Sequence, residues 1–127
     1  MSIIVKIQYF TEDELKCPCC GLCNYDSFFL KKLDVFREMI KSRLQVTSGC
    51  RCAPHNLMVS GAVNSCHIGE GKTSSAVDVF PMDLTLPETF VKACESNFFN
   101  EVIYYKEKRF IHLGFDEKKL RPYFEVK

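Results

Sequence analysis

One long apolar stripe, followed by segments too short to repeat it, limits what this chain can fold into. Phe29, Leu33, Phe36 and Ile40 recur at i, i+4, i+7 and i+11, while Lys31, Lys32, Asp34, Arg37 and Lys41 fall on the other side. Asp26-Ser27 supplies an N-cap signal, so the spacing predicts a helix over 27–43. Such a stripe must be buried against a second layer. Strand character appears only in short runs, at 3–9, 44–47, 76–80, 101–105, 109–115 and 122–126. Lys106-Glu107-Lys108 joins two of them as a hairpin. Pro54 opens a brief helix over 54–58, and a second full helix is expected over 87–95, with Phe90, Val91 and Cys94 on one face. The glycines, serines and threonines of 61–75 predict an irregular surface loop. The sum is an α+β fold, with helices packed on one face of a mainly antiparallel sheet, in one domain spanning residues 1–127.

Composition excludes several classes of function. A net charge of +1 gives no general attraction to nucleic acid or to anionic lipid. No apolar run approaches the length of a membrane span. The start, Met1-Ser2-Ile3-Ile4-Val5-Lys6-Ile7, lacks a basic n-region and reads as a strand rather than a signal peptide. The expectation is a protein made in the cytoplasm and acting as a monomer, without nucleic acid or membrane insertion.

Chemistry concentrates in three residues. His67 begins the glycine-rich loop, Asp78 lies in one β-run and His112 in another, and the chain has only 3 histidines. Two imidazoles and a carboxylate form a ligand set for a catalytic zinc, leaving a fourth tetrahedral position for water. Taken singly, each has an ordinary alternative, a half-buried strand histidine or a capping aspartate. Together they point to a metal.

Eight cysteines are many for a reducing compartment. Cys17, Cys20 and Cys23 are candidates for a second, structural metal, although the spacing in Cys17-Pro-Cys19-Cys20-Gly-Leu-Cys23 differs from paired C-x-x-C knuckles. A bridge from this loop to Cys50 or Cys52 in an oxidising setting, or plain reduced thiols, fit the sequence as well. Cys66, beside His67, is placed to compete for metal or to be oxidised.

The ordered motifs Ser48-Gly49-Cys50-Arg51, His55-Asn56, Asn64-Ser65-Cys66-His67, Ala76-Val77-Asp78 and Phe110-Ile111-His112 resemble the zinc D-Ala-D-Ala carboxypeptidase family. That family includes L-alanyl-D-glutamate endopeptidases of phage lysins and shares its fold with the hedgehog signalling domain. The resemblance covers roughly residues 10–115, and the cysteine loop is similar to a phage and bacterial subgroup. It implies that His67, Asp78 and His112 bind Zn2+, that Arg51 holds a substrate carboxylate or the attacked carbonyl, and that Ser65 steadies the loop or touches substrate. The implied activity is hydrolysis of an amide bond in a peptidoglycan stem peptide by metal-activated water. Together with the missing signal peptide, this implies action at the cell wall after release, as in a phage or prophage lysin. The alternative is a non-catalytic zinc-binding module of the same fold.

Two departures from the family pattern bear on catalysis. Asp78 follows His67 by eleven positions instead of seven, so residues 69–75 contain an apparent four-residue insertion. Arg109 stands three positions before His112, where many members place a glutamate, and Gly114 replaces a frequent acid two positions after it. Glu107 is therefore the first candidate for the general base, ahead of Glu101 and Glu70.

Overall fold

The structure, a computed structural model, describes residues 7–62 and 65–127. Among these described residues lie four helices, α1 (Glu12–Leu15), α2 (Ser27–Ile40), α3 (Ala53–Met58) and α4 (Leu86–Ser96), and five strands, β1 (Leu44–Ser48), β2 (Ala76–Pro81), β3 (Glu101–Tyr105), β4 (Phe110–Gly114) and β5 (Tyr123–Val126). The strands form one sheet in the order β1-β2-β4-β3-β5, antiparallel throughout except for the parallel β3–β5 pair. The architecture is α+β, as expected.

Helix α2 is stopped by local chemistry. Asp26 caps its start by accepting from Phe29 N, and Lys41 ends it in the left-handed region at φ 53°. The helix ends at Ile40, three residues short of the expected 43. The stripe Phe29, Leu30, Leu33, Phe36 and Ile40 is buried in one cluster with Val77 and Val79 of β2, Ile111 and Leu113 of β4, Val102 of β3 and Ala93 of α4. Each of these large side chains contributes roughly 1.5–3 kcal/mol by leaving water. Phe99 stands edge-on to both Phe29 and Phe36 and fills the junction between helix and sheet.

The expected strand over 3–9 falls largely outside the described residues. Residues 7–9 form no strand, and the N–H groups of Gln8 and Tyr9 donate to the Asp34 carboxylate, docking the segment on α2. Helix α1 was not anticipated. It is one turn closed by a Thr11–Glu14 capping box, which buries Leu15.

Because side chains alternate across a strand, the sheet has two distinct faces. Val77, Val79, Ile111 and Leu113 point toward the helices. Their neighbours Asp78 and His112, which are cross-strand partners on the two inner strands, therefore point to the opposite face.

Candidate active site

His67 reaches that opposite face from the long segment between β1 and β2. Arg51 and Ile68 form a parallel bridge, with Arg51 N donating to His67 O at 2.8 Å and Gly69 N to Arg51 O at 2.9 Å. This ladder fastens the His67 loop to the backbone that carries Arg51. Ser65 Oγ accepts from His67 N at 3.1 Å, and the fully buried Ser74 hydroxyl donates to His67 O. Of the two roles foreseen for Ser65, steadying the loop is the one these contacts support.

The three expected ligands converge. His67 Nε2, His112 Nδ1 and Asp78 Oδ1 form a triangle with edges of 3.0, 3.1 and 3.2 Å. Zinc bonds of about 2.0–2.1 Å to nitrogen or oxygen place tetrahedral ligand atoms about 3.3 Å apart, so the triangle fits one face of such a polyhedron. The far side of each ring fits as well. His67 Nδ1 lies 2.8 Å from Gly49 O and His112 Nε2 lies 2.9 Å from Glu101 Oε1, partners that accept an N–H and leave the inward nitrogens free to bind metal.

The electrostatics agree with that division. Burial opposes ionisation of Asp78, but the charges and hydrogen bonds of His67 and His112 outweigh it and hold the carboxyl well below its usual range. Burial lowers His67 further than Asp78 restores it, which favours the neutral ring a metal requires. His112 behaves oppositely. Burial again disfavours its charge, yet hydrogen bonds to Asp78 and Glu101 push it up to about 9. Asp78 and Glu101 thus flank His112 and favour its protonated form.

Glu101 owes its place to the register of the sheet. It pairs with Gly114 across β3 and β4 and lies two residues along from Ile103, the partner of His112. A Cβ at position 114 would stand 2.6 Å from Glu101 Oε1 and 3.0 Å from His112 Nε2. The carboxylate missing at 114 is thus supplied from the neighbouring strand, into space that only glycine leaves open. Lys119 approaches Glu101 Oε2 at 3.4 Å and helps hold the group ionised.

Arg51 is half-buried and strictly oriented. Its Nε donates to Ser48 Oγ at 3.2 Å, Nη1 to Asn56 Oδ1 at 3.1 Å, and Nη2 lies 3.5 Å from Asp78 Oδ2. A bulge in β1 between Val46 and Ser48 sets Ser48 in this position. Asn56 is itself fixed by donating to Ala62 O at 2.9 Å. Among the described residues these contacts engage three of the five guanidinium N–H groups. Arg51 lines a cleft together with Ser48, His55, Asp78, Lys108 and Phe110. His55 Nδ1 is buried there without a hydrogen-bond partner among the described residues.

The candidate acids are distributed unevenly. Glu107 is exposed in the β3–β4 turn, and no contact joins it to the ligand triangle among the described residues. Glu70 is occupied elsewhere, accepting from Ala53 N at 3.0 Å at the start of α3. Only Glu101 touches a ligand.

The insertion before Asp78 does not disturb the ligands. Ser75 N donates to Cys66 O at 2.8 Å, closing the loop at its neck. Asn24 holds the excursion through its side-chain amide, which donates to Gly69 O and Lys72 O, while Asp26 N bonds Ser74 O at 2.8 Å. The extra length lies against the segment preceding α2.

The cysteines divide into separate environments. Cys17, Cys19, Cys20 and Cys52 place sulfurs within 4.8 Å of one another. Cys23 departs from the expected set: it is buried in the main core cluster, where burial and the neighbouring Cys50 thiol push it up to about 11. Burial likewise raises Cys66 to about 11, which makes it a poor thiolate beside the triad.

The sequence model of the peptidase M15 family matches residues 8–114, and the chain belongs to that family, the zinc D-Ala-D-Ala carboxypeptidase-like peptidases. Membership supports peptidase chemistry that depends on zinc and is directed at cell-wall peptides. No curated protein matches the chain.

Proposed function

We propose that this protein is a zinc-dependent peptidase that cleaves an amide bond in peptidoglycan stem peptides, either a terminal D-Ala-D-Ala bond or an internal L-alanyl-D-glutamate bond. The observation that carries the reading is the His67–Asp78–His112 triangle, with both outer ring nitrogens already committed to acceptors. Zinc held by the three residues would polarise the scissile carbonyl and bring the pKa of water to about 7.

The chain's own residues supply the rest. Arg51, held by Ser48, Asn56 and Asp78, presents its guanidinium to a substrate carboxylate or to the oxyanion that develops at the attacked carbonyl. Glu101 fixes the tautomer and tilt of His112 as a positioning residue. His55, which lines the cleft beside Arg51 and Asp78, receives and returns the proton. Glu107 is the alternative proton carrier, because its neighbour Lys108 lines the same cleft. The protein acts as a monomer at the cell wall after release from the cell that makes it.

A second reading, a zinc-binding module without turnover, is favoured by one observation. Arg109 occupies the position of the family's acid and turns its guanidinium over the Phe80 ring at 5.6 Å. Metal analysis combined with muropeptide digestion separates the two. The peptidase reading expects zinc and cleavage in the wild type, with both lost from the triad in His67→Ala. Triad zinc without cleavage of either bond supports the module. His55→Gln should lower kcat by about 10²–10⁴ with zinc retained. The same loss in Glu107→Gln instead would transfer the proton role to Glu107.

A further inference from the structure

We infer that Cys17, Cys19, Cys20 and Cys52 hold a second, structural ion of the zinc class, which fastens the 17–20 turn to the backbone carrying Arg51. The Cys17 and Cys52 sulfurs are 3.7 Å apart and those of Cys19 and Cys52 3.3 Å. With Zn–S bonds of about 2.3 Å, thiolates at tetrahedral corners lie about 3.8 Å apart. Cys52 stands between two thiols and can form a disulfide with only one of them. One bridge among the four would leave two converging thiols unexplained, whereas a single cation uses all four.

The backbone around the cluster is shaped for sulfur. Amide groups of Cys52, Cys19 and Cys20 point at the Cys17 sulfur, the kind of outer support that holds a metal thiolate in place. Cys17 N donates to Leu22 O at 2.7 Å and Gly21 N to Cys17 O at 2.8 Å, with Gly21 at φ 79°. This tight turn wraps Cys19 and Cys20 around one point, so the adjacency of the two residues does not keep their sulfurs apart. Cys52 precedes α3 at the N-cap position, yet its side chain caps nothing and turns to the cluster instead. Cys17 and Cys52 are buried and Cys19 and Cys20 exposed, which gives the ion a floor and an entry path. All-thiolate coordination selects zinc over magnesium, calcium or manganese.

The consequence for the fold is specific. Cys52 follows Arg51 directly and precedes the helix bearing His55 and Asn56, so the ion would clamp the arginine's own backbone. The inference does not depend on peptidase activity.

The test is metal stoichiometry in protein purified under reducing conditions. Two zinc ions per chain are expected in the wild type, one in His67→Ala and one in Cys52→Ser. An organic mercurial, which captures thiolates, should release one zinc from wild type and from His67→Ala alike. Cobalt exchanged into His67→Ala should show an intense thiolate-to-cobalt charge-transfer band. Should Cys52→Ser fail to fold, Cys20→Ser and the mercurial titration of wild type give the same answer. A single zinc that vanishes in His67→Ala would overturn the inference, as would a disulfide among these four cysteines detected by peptide mapping.

Discussion

Asp78 and His112 face each other across the two inner strands of the sheet, whereas Cys17, Cys19 and Cys20 share a tight turn and meet Cys52 only across a loop. The first set is positioned by ladder hydrogen bonds on both sides of β2 and β4 and by the core beneath them. Its ligand atoms are set by the strand register. In the second set three thiols come from one backbone-bonded turn and the fourth, Cys52, from the start of α3. Sheet scaffolding therefore suits chemistry that needs a fixed, open coordination position, and loop thiols suit an ion whose work is to hold chain segments together.

Breaking the triad is expected to have the largest functional effect. Asp78→Ala removes one ligand and leaves Arg51 without its carboxylate partner, so muropeptide cleavage should fall to the assay floor while far-ultraviolet circular dichroism stays near wild type. Loss of the folded signature would show that the sheet does not pre-form the site. The thiol set should respond in the opposite sense. Cys52→Ser is expected to lower the thermal midpoint by about 10 °C or more, since structural zinc contributes several kcal/mol to folding and each kcal/mol shifts the midpoint by several degrees. A shift smaller than that of His67→Ala would reverse the contrast.

A finer probe is Glu101→Gln, which keeps the shape of the group and removes its charge. Zinc affinity at the triad should drop about 10–100-fold, measured by chelator competition, with the thiol-bound ion unaffected. The smallest effect concerns protons. In metal-free protein His112 is held up to about 9 by Asp78 and Glu101 against the cost of burial, above its unfolded value near 6.5. Its protonated form therefore stabilises the metal-free fold fully below about pH 6.5 and loses that contribution as pH rises through about 9. Zinc must displace the same proton, so triad affinity should climb over that interval and level off above it. A flat titration would mean that Asp78 and Glu101 do not share a proton through His112.

Much of this was legible in the chain because it is written locally. The α2 stripe, the Pro54 helix start and the hairpin around Lys106–Lys108 each follow from neighbouring residues. The ligand triad was legible through the order of short motifs around it. Glu101 was not, for it becomes the partner of His112 only through the β3–β4 register, with Gly114 making room. Cys52 in place of Cys23 is a similar case: nothing in the spacing shows that residue 52 lies beside residue 17 while residue 23 turns into the core. The α1 turn was missed although its Thr11–Glu14 signature stands in the sequence. The parallel setting of β5 is a tertiary choice that no strand-length pattern records.

The neck between Cys66 and Ser75 separates two properties that usually vary together, the length of a loop and the position of what it connects. A Cβ placed at Gly71, at the exposed tip, would meet nothing within 4 Å, so residues added there would extend into solvent at little entropic cost. The excursion can serve as a grafting port, accepting a recognition peptide or a reporter while His67 and Asp78 keep their separation.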